Sequence, residues 1–286
     1  MMRSGWFRRH LGVIASHAFL IVFTVITLIP LGWVLRIAFD AEPPSATNLS
    51  FIPADPTFEN FVDVVSLHDA KGNWVFGHQL WNSVVVSIAT TLLGIFLATT
   101  AAYAFSRFDF PGRRTGLLAF LVSQMFPGVL MMIPLYVIMQ SLGLLNQKMG
   151  LILVYSTTAI PFCVWMLKGY FDTIPKELEE SAIIDGASRL RVFLQIMLPL
   201  ARPAIAITAL FSFMTAWNEF VLSYTFMNDE LAYTLPVTIN SFVDAKKIEW
   251  GLFAASSVLV SIPIMALFYA LQKNLVGGLT AGGVKG

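Results

Sequence analysis

The chain has 286 residues, 57 % of them hydrophobic and 12 % charged, with a formal net charge of +1 and a mean hydropathy of +0.73. So little charge cannot cover a water-soluble domain of this length, and the balanced sign argues neither for nucleic acid nor for an acidic partner. A single cysteine, Cys163, excludes an internal disulfide and a cysteine-rich metal site, and its apolar surroundings mark it as a packing residue.

A helix crosses the hydrocarbon core with about 20 mostly apolar residues, and six runs qualify. Residues 1–10, with Arg3, Arg8, Arg9 and His10, precede the first, Leu11–Leu35. Basic residues before an apolar run resemble a secretory signal. This run is longer than a signal's apolar region and no small-residue cleavage pattern follows closely, so it reads as an uncleaved span containing His17. Asp40–Leu80 is polar, with Pro43, Pro44, Pro53 and Pro56 and the aromatics Trp74 and Phe76. The second span is Trp81–Phe105 and the third Gly116–Gln140, in which Pro127 and Pro134 predict a kink, either a gate or an ordinary membrane-helix bend. Ser123 and Gln124 are polar residues just before that kink, and Met125, Met131 and Met132 read as packing. The fourth span is Met149–Leu167, in which Pro161 likewise predicts a kink. The fifth is Pro203–Met227 and the sixth Gly251–Gln272; between them lies Asn228–Trp250, with Tyr233, Phe242 and Trp250. Aromatics in such outer loops can form a partner surface, but those near span ends, here Trp81 and Trp250, more often anchor at the membrane interface.

Lysine and arginine fix the orientation. With the N-terminus inside, thirteen of the 18 fall on the inner side and five, Arg36, Lys71, Lys148, Lys246 and Lys247, on the outer. Both termini are therefore expected in the cytoplasm. Within the spans Glu219 is the sole acidic or basic side chain apart from histidine, with Asn218 beside it. A carboxylate facing lipid costs roughly 2.5 kcal/mol or more. Glu219 should face a translocation cavity, a subunit contact or a hydrogen-bond donor, and the sequence leaves these roles open. Gln124, Asn218 and Glu219 are the pathway candidates.

Residues 172–202 are the polar exception between two greasy spans. Pro175 suits a helix's first turn, Glu177, Glu179 and Glu180 place negative charge at its positive end, and Gly186 is suited to a left-handed cap. A second helix is expected from Ser188, with Leu190, Phe193, Leu194 and Met197 on one apolar face and Pro199 and Pro203 ending it. The pair forms a helix–turn–helix on the inner side, either a rigid grip for another protein or an interfacial helix resting in the headgroups.

Glu180-Ser181-Ala182, then Gly186, then Ile196-x-Leu198-Pro199 resembles the coupling motif of ABC-importer permeases, E-A-A, three residues, G, nine residues, I-x-L-P. Ser181 is the single departure, and serine is small enough to keep close helix contact. "LWNSVVV", "AYAFSRFDFPG", "SQMFPGVL", "LKGYFDTIPKELEE" and "GLTAGGVKG" extend the likeness over nearly the whole chain. They are similar to permease subunits of the binding-protein-dependent sugar type, and within it to the maltose/maltodextrin group. The resemblance implies an all-α integral membrane protein of the bacterial inner membrane, with a cytoplasmic N-terminus at 1–10 and a six-span permease domain at 11–275. A cytoplasmic tail follows at 276–286. It further implies a second, MalF-like permease subunit, a dimer of ATPase subunits that grips the coupling loop, and an extracytoplasmic sugar-binding protein. The tail residues Thr280, Gly282, Gly283 and Lys285 are implied ATPase contacts, although a glycine-rich segment alone in water should be disordered.

The chain carries no G-x-x-x-x-G-K-[ST], H-E-x-x-H or G-x-S-x-G, and its four histidines form no metal spacing. It is expected to have no enzymatic activity, metal or cofactor of its own, with ATP bound by the partner. The competing reading is a self-sufficient secondary transporter or channel, which commonly shows paired halves and ionisable midplane residues. No second half is evident. Nothing in the composition selects maltose over another oligosaccharide.

Overall fold

The computed structural model describes residues 3–42, 50–243 and 248–283, with side chains placed over 12–42, 50–243 and 248–273. The described residues are helical and connecting segments, with three isolated β-bridges and no strand. They divide into two compact units, Met1–Leu67 with Ile239–Val260, and His68–Thr238 with Ser261–Gly286.

The first unit begins with α1, Arg3–Ala38. This helix is apolar around its circumference, as a lipid-facing helix requires, and Pro30 lies inside it. The chain leaves α1 through a buried polar knot. Arg36 Nη2 lies 3.3 Å from Asp40 Oδ2, and the Asp40 carboxylate accepts from the amides of Glu42, Ala54 and Asp55. Asn60, on α2 (Glu59–Val65), donates to the carbonyls of Ala38 and Asp40. Burial pushes the Asp40 carboxyl up, but those three amides and the Arg36 guanidinium outweigh it and hold it below its ordinary 3.8. A carboxyl lowered on folding stabilises the fold above its unfolded value, and that contribution is lost as pH falls through the folded value. Asp40→Ala leaves the Arg36 guanidinium buried without its counterion, a loss of about 3–5 kcal/mol. The expected result is faster proteolysis of residues 50–58 at pH 7, whereas wild type loosens there only below pH 3.8.

In the second unit α3 (Val75–Arg107) and α6 (Lys148–Thr173) are the main packed pair, and α10 (Arg202–Trp217) lies against both. Small residues permit the close approach. Ala98, Ala102, Ala159 and Cys163 are fully buried, and a Cβ on Gly94 would come 3.2 Å from Ser212 Oγ. Pro161 lies inside α6 without ending it. One cluster, around Tyr103, Val164, Leu167, Phe171 and Met197, fills one end of the α3–α6 pair; a second, around Val86, Leu151, Tyr155 and Phe226, fills the other.

Two expected spans are not single helices. Gly116–Gln140 is split into α4, Arg113–Met125, and α5, Gly128–Ser141, which meet at 104°. Pro127 deprives the chain of a donor and pushes Phe126 into an extended conformation (ψ 129°), so the expected kink is a full break. Pro134, by contrast, lies inside α5. The fifth span, expected from Pro203 to Met227, ends its first helix at Trp217 and resumes as α11, Val221–Phe226. At 16 residues α10 is about 24 Å long, short of the roughly 30 Å core. After α12, Leu235–Ser241, the last helix α13 runs Trp250–Gly283, past the expected end of the sixth span at Gln272. Among the described residues four helices are long and apolar enough to cross a membrane, and up to six spans result if two bent pairs, α4 with α5 and the helical segment Arg189–Leu200 with α10, each count as one.

Candidate functional site

The polar segment between the fourth and fifth spans folds as a helix–turn–helix. Its first helix, α7, is Glu177–Ile184, with Glu177, Glu179 and Glu180 in the first turn and Pro175 just upstream of its Lys176 cap. Gly186 adopts φ +86°. Its amide donates to the Ile183 carbonyl at 3.0 Å and that of Ala187 to Ala182 at 2.9 Å, the paired bonds of a Schellman cap. Ser188 then caps the next helix, accepting from the Arg191 amide. That helix comprises α8 (Arg189–Val192), a π-helical turn at Phe193–Met197 and α9 (Leu198–Leu200), and it meets α10 at 77°.

The expected apolar face does not hold together. Phe193 and Met197 are buried, whereas Leu190 is 66 % and Leu194 50 % exposed. The π turn shifts the register by widening the helix locally, so Val192 joins Phe193 and Met197 inside. Pro199 lies within α9, and the chain turns at Ala201 instead. The motif residues divide in two. Ala182, Ile196 and Leu198 pack against the core and Pro199 is half-buried, while Glu180, Ser181 and Gly186 remain exposed. Beside them Ile184 is 85 % exposed, with Leu178 and Ile183 also open.

What fixes this loop to the spans was not foreseen. Glu179, read from the sequence only as a helix-dipole partner, turns inward to pair with Arg107 at the end of α3; their side chains are 10 % and 6 % exposed. Tyr103 Oη donates to Glu179 Oε2 at 2.9 Å, and Arg107 Nη2 donates to the Ile174 carbonyl at 2.8 Å. Arg107 Nη1 also reaches Ser106, whose hydroxyl donates to Asp172, itself paired with Lys168. A push on α7 therefore meets a buried ionic joint to α3 and α6, not a free hinge.

Glu219 lies in the break between α10 and α11. Its carboxylate accepts from Tyr155 Oη at 2.8 Å and from the amides of Leu222 and Ser223, capping α11. The geometry thus shows a hydrogen-bonding and capping role. Asn218 is exposed and donates through Nδ2 to the Met214 carbonyl of its own helix. Gln124 is held elsewhere, donating to Thr158 on α6. The surroundings of Thr280, Gly282 and Gly283, and all of Lys285, lie outside what is described. Among the described residues no group of three or more His, Cys, Asp or Glu side chains is placed to hold a metal ion.

A loop of this form, jointed to spans at one end of an apolar bundle, suits a membrane subunit driven from outside its own chain. Residues 90–280 match the family described as the binding-protein-dependent transport system inner membrane component. The chain belongs to that family. Curated relatives align with this permease over almost its whole length. The galactooligosaccharides transport system permease protein GanQ of Bacillus subtilis is 40 % identical, covering 98 % of each chain. The maltose/maltodextrin transport system permease protein MalG of Vibrio parahaemolyticus is 38 % identical over 95 % of each. The maltodextrin permease protein MdxG of Bacillus subtilis is 35 % identical over 97 % of this chain and 98 % of its own. The fold is that of a solved bacterial ABC transporter that imports the acidic polysaccharide alginate, with a TM-score of 0.74 at 23 % identity, covering 96 % of this chain and 98 % of that one.

Proposed function

We propose that the chain is one of two permease subunits of an ATP-driven oligosaccharide importer of the bacterial inner membrane. Both termini are cytoplasmic, and the 172–202 loop is the grip for a separate ATPase dimer. The observation that carries this reading is the loop itself. It exposes Leu178, Ile183, Ile184, Leu190 and Leu194 around a left-handed glycine, while Glu179 and Arg107 join it to the spans. Apolar side chains exposed on a rigid knob favour a protein partner. A solute-binding protein outside and a second permease subunit complete the machine, and the tail at 276–286 reaches the ATPase. Maltose and maltodextrin are the proposed cargo, in keeping with the MalG-type motifs. Galactooligosaccharide is the second reading, supported by the 40 % identity to GanQ.

The test is reconstitution of the assembled importer in proteoliposomes with maltotriose, galactotriose and diacetylchitobiose as probes. ATP-dependent import of one of them is expected. Import by this chain alone, without ATP, would return it to the self-sufficient carriers. Gly186 offers a finer check. A Cβ there meets nothing within 4 Å, so substitution is opposed by backbone strain alone, about 1–2 kcal/mol. Gly186→Asn should retain ATPase co-purification, Gly186→Leu should weaken it and Gly186→Val should weaken it most. Equal co-purification for all three would mean that the ATPase does not bind at this turn.

A further inference from the structure

The break at Asn218–Phe220 falls inside the apolar run expected as the fifth span, and irregular backbone within hydrocarbon is tolerated only against protein or a water-filled cavity. The exposed Asn218 amide favours the same assignment, since lipid would penalise it. From this break a row of rings steps away. Phe220 and Tyr224 have centroids 5.7 Å apart and planes 24° apart; Tyr224 and Tyr233 follow at 6.1 Å and 20°. Nearly parallel rings at such separations are staggered rather than sandwiched; Tyr224 is 59 % exposed, and Phe220 and Tyr233 are half-buried beside it.

The row is held rigidly from behind. Glu219 fixes the start of α11 through Leu222 and Ser223, and Ser223 Oγ accepts from the Thr234 amide. Asn82, on α3, donates to the carbonyls of Leu231 and Tyr233 at 2.7 and 2.9 Å. An aromatic that merely anchors at a membrane interface needs neither this support nor a broken span. A fixed, stepped strip of flat apolar faces with phenol hydroxyls at its edge matches one chemistry well. A pyranose ring has an apolar C–H face and a hydroxyl rim.

We propose that Phe220, Tyr224 and Tyr233 form a stacking strip for the pyranose rings of the transported oligosaccharide, so that this subunit touches cargo directly. The proposal rests on the sugar-permease reading above. Its test compares wild type, Tyr224→Phe and Tyr224→Leu in the assembled importer, using maltotriose, or whichever of the three probes wild type imports. Leucine keeps apolar volume but loses the flat face. Import by Tyr224→Leu should fall about tenfold with subunit co-purification unchanged, while Tyr224→Phe should stay within about twofold of wild type. Undiminished import by Tyr224→Leu overturns the strip and leaves the permease reading intact. Loss of the second permease subunit from Tyr224→Leu preparations also overturns it, marking the rings as a subunit interface. Failure of wild type to import any saccharide overturns both readings.

Discussion

Arg107→Ala is expected to destabilise the folded permease by about 3–5 kcal/mol and to abolish import. The substitution leaves the Glu179 carboxylate in a nearly dry site with the Tyr103 hydroxyl as its remaining side-chain partner, and it deprives the Ile174 carbonyl of its donor. Removing one partner of a buried pair is worse than removing both, because the charge left behind has lost its hydration. The double variant Arg107→Met, Glu179→Leu should therefore melt above either single variant. Stability and coupling then separate. If the joint carries motion from α7 to α3 through its fixed geometry, the double variant should fold yet hydrolyse ATP with little import. If the pair only stabilises, import should recover with melting temperature. Thermal melts in detergent and import per ATP hydrolysed read the two quantities. An Arg107→Ala permease that melts like wild type would show that the joint does not form in the assembled protein.

The joint illustrates what the sequence can and cannot reveal. Hydropathy locates α1, α3, α6 and α13 well, because each is one long apolar run and lipid imposes a minimum length. The bend at Gly186 is legible because a left-handed residue strongly favours glycine. Arg107 and Glu179 lie on separate helices, and no local periodicity links them, so only packing reveals the pair. The breaks were partly marked, by Pro127 in one span and by Glu219 in the other. Hydropathy averages over a window and does not register a turn in chain direction, so both spans read as continuous. The face assigned to Leu190, Phe193, Leu194 and Met197 failed for a related reason. Helical spacing assumes 3.6 residues per turn, and the π turn at Phe193–Met197 departs from it. The strip of Phe220, Tyr224 and Tyr233 had no sequence signal beyond its aromatics, since the chain must fold back through residues 228–232 to bring Tyr233 beside Tyr224.

Glu219→Leu should be comparably damaging, by another route. The carboxylate satisfies two amides at the start of α11 and the phenol of Tyr155, which is itself buried. Leucine leaves all three donors without that partner, at about 1–3 kcal/mol for each buried group left unpaired. The segment should then lose its attachment to α6, loosening the cluster of Tyr155, Phe226 and Met227 around it. Glu219→Gln is the informative control. Its carbonyl oxygen can still accept from the Leu222 and Ser223 amides, and its amide can donate to the Tyr155 oxygen, so shape and pairing survive without charge. The expected order of melting temperature and import is wild type, then Glu219→Gln with a modest loss, then Glu219→Leu with import abolished. A glutamine variant as damaged as the leucine variant would mean that the negative charge itself is required, by a cation in the pathway or on the partner subunit. A leucine variant indistinguishable from wild type would remove Glu219 from both the cap and the pathway. The ordering matters because Glu219 supports the ring-bearing segment from behind. If glutamine preserves import, the span is broken here by a neutralisable cap, and the chemistry offered to the cargo comes from the aromatic faces it holds in place.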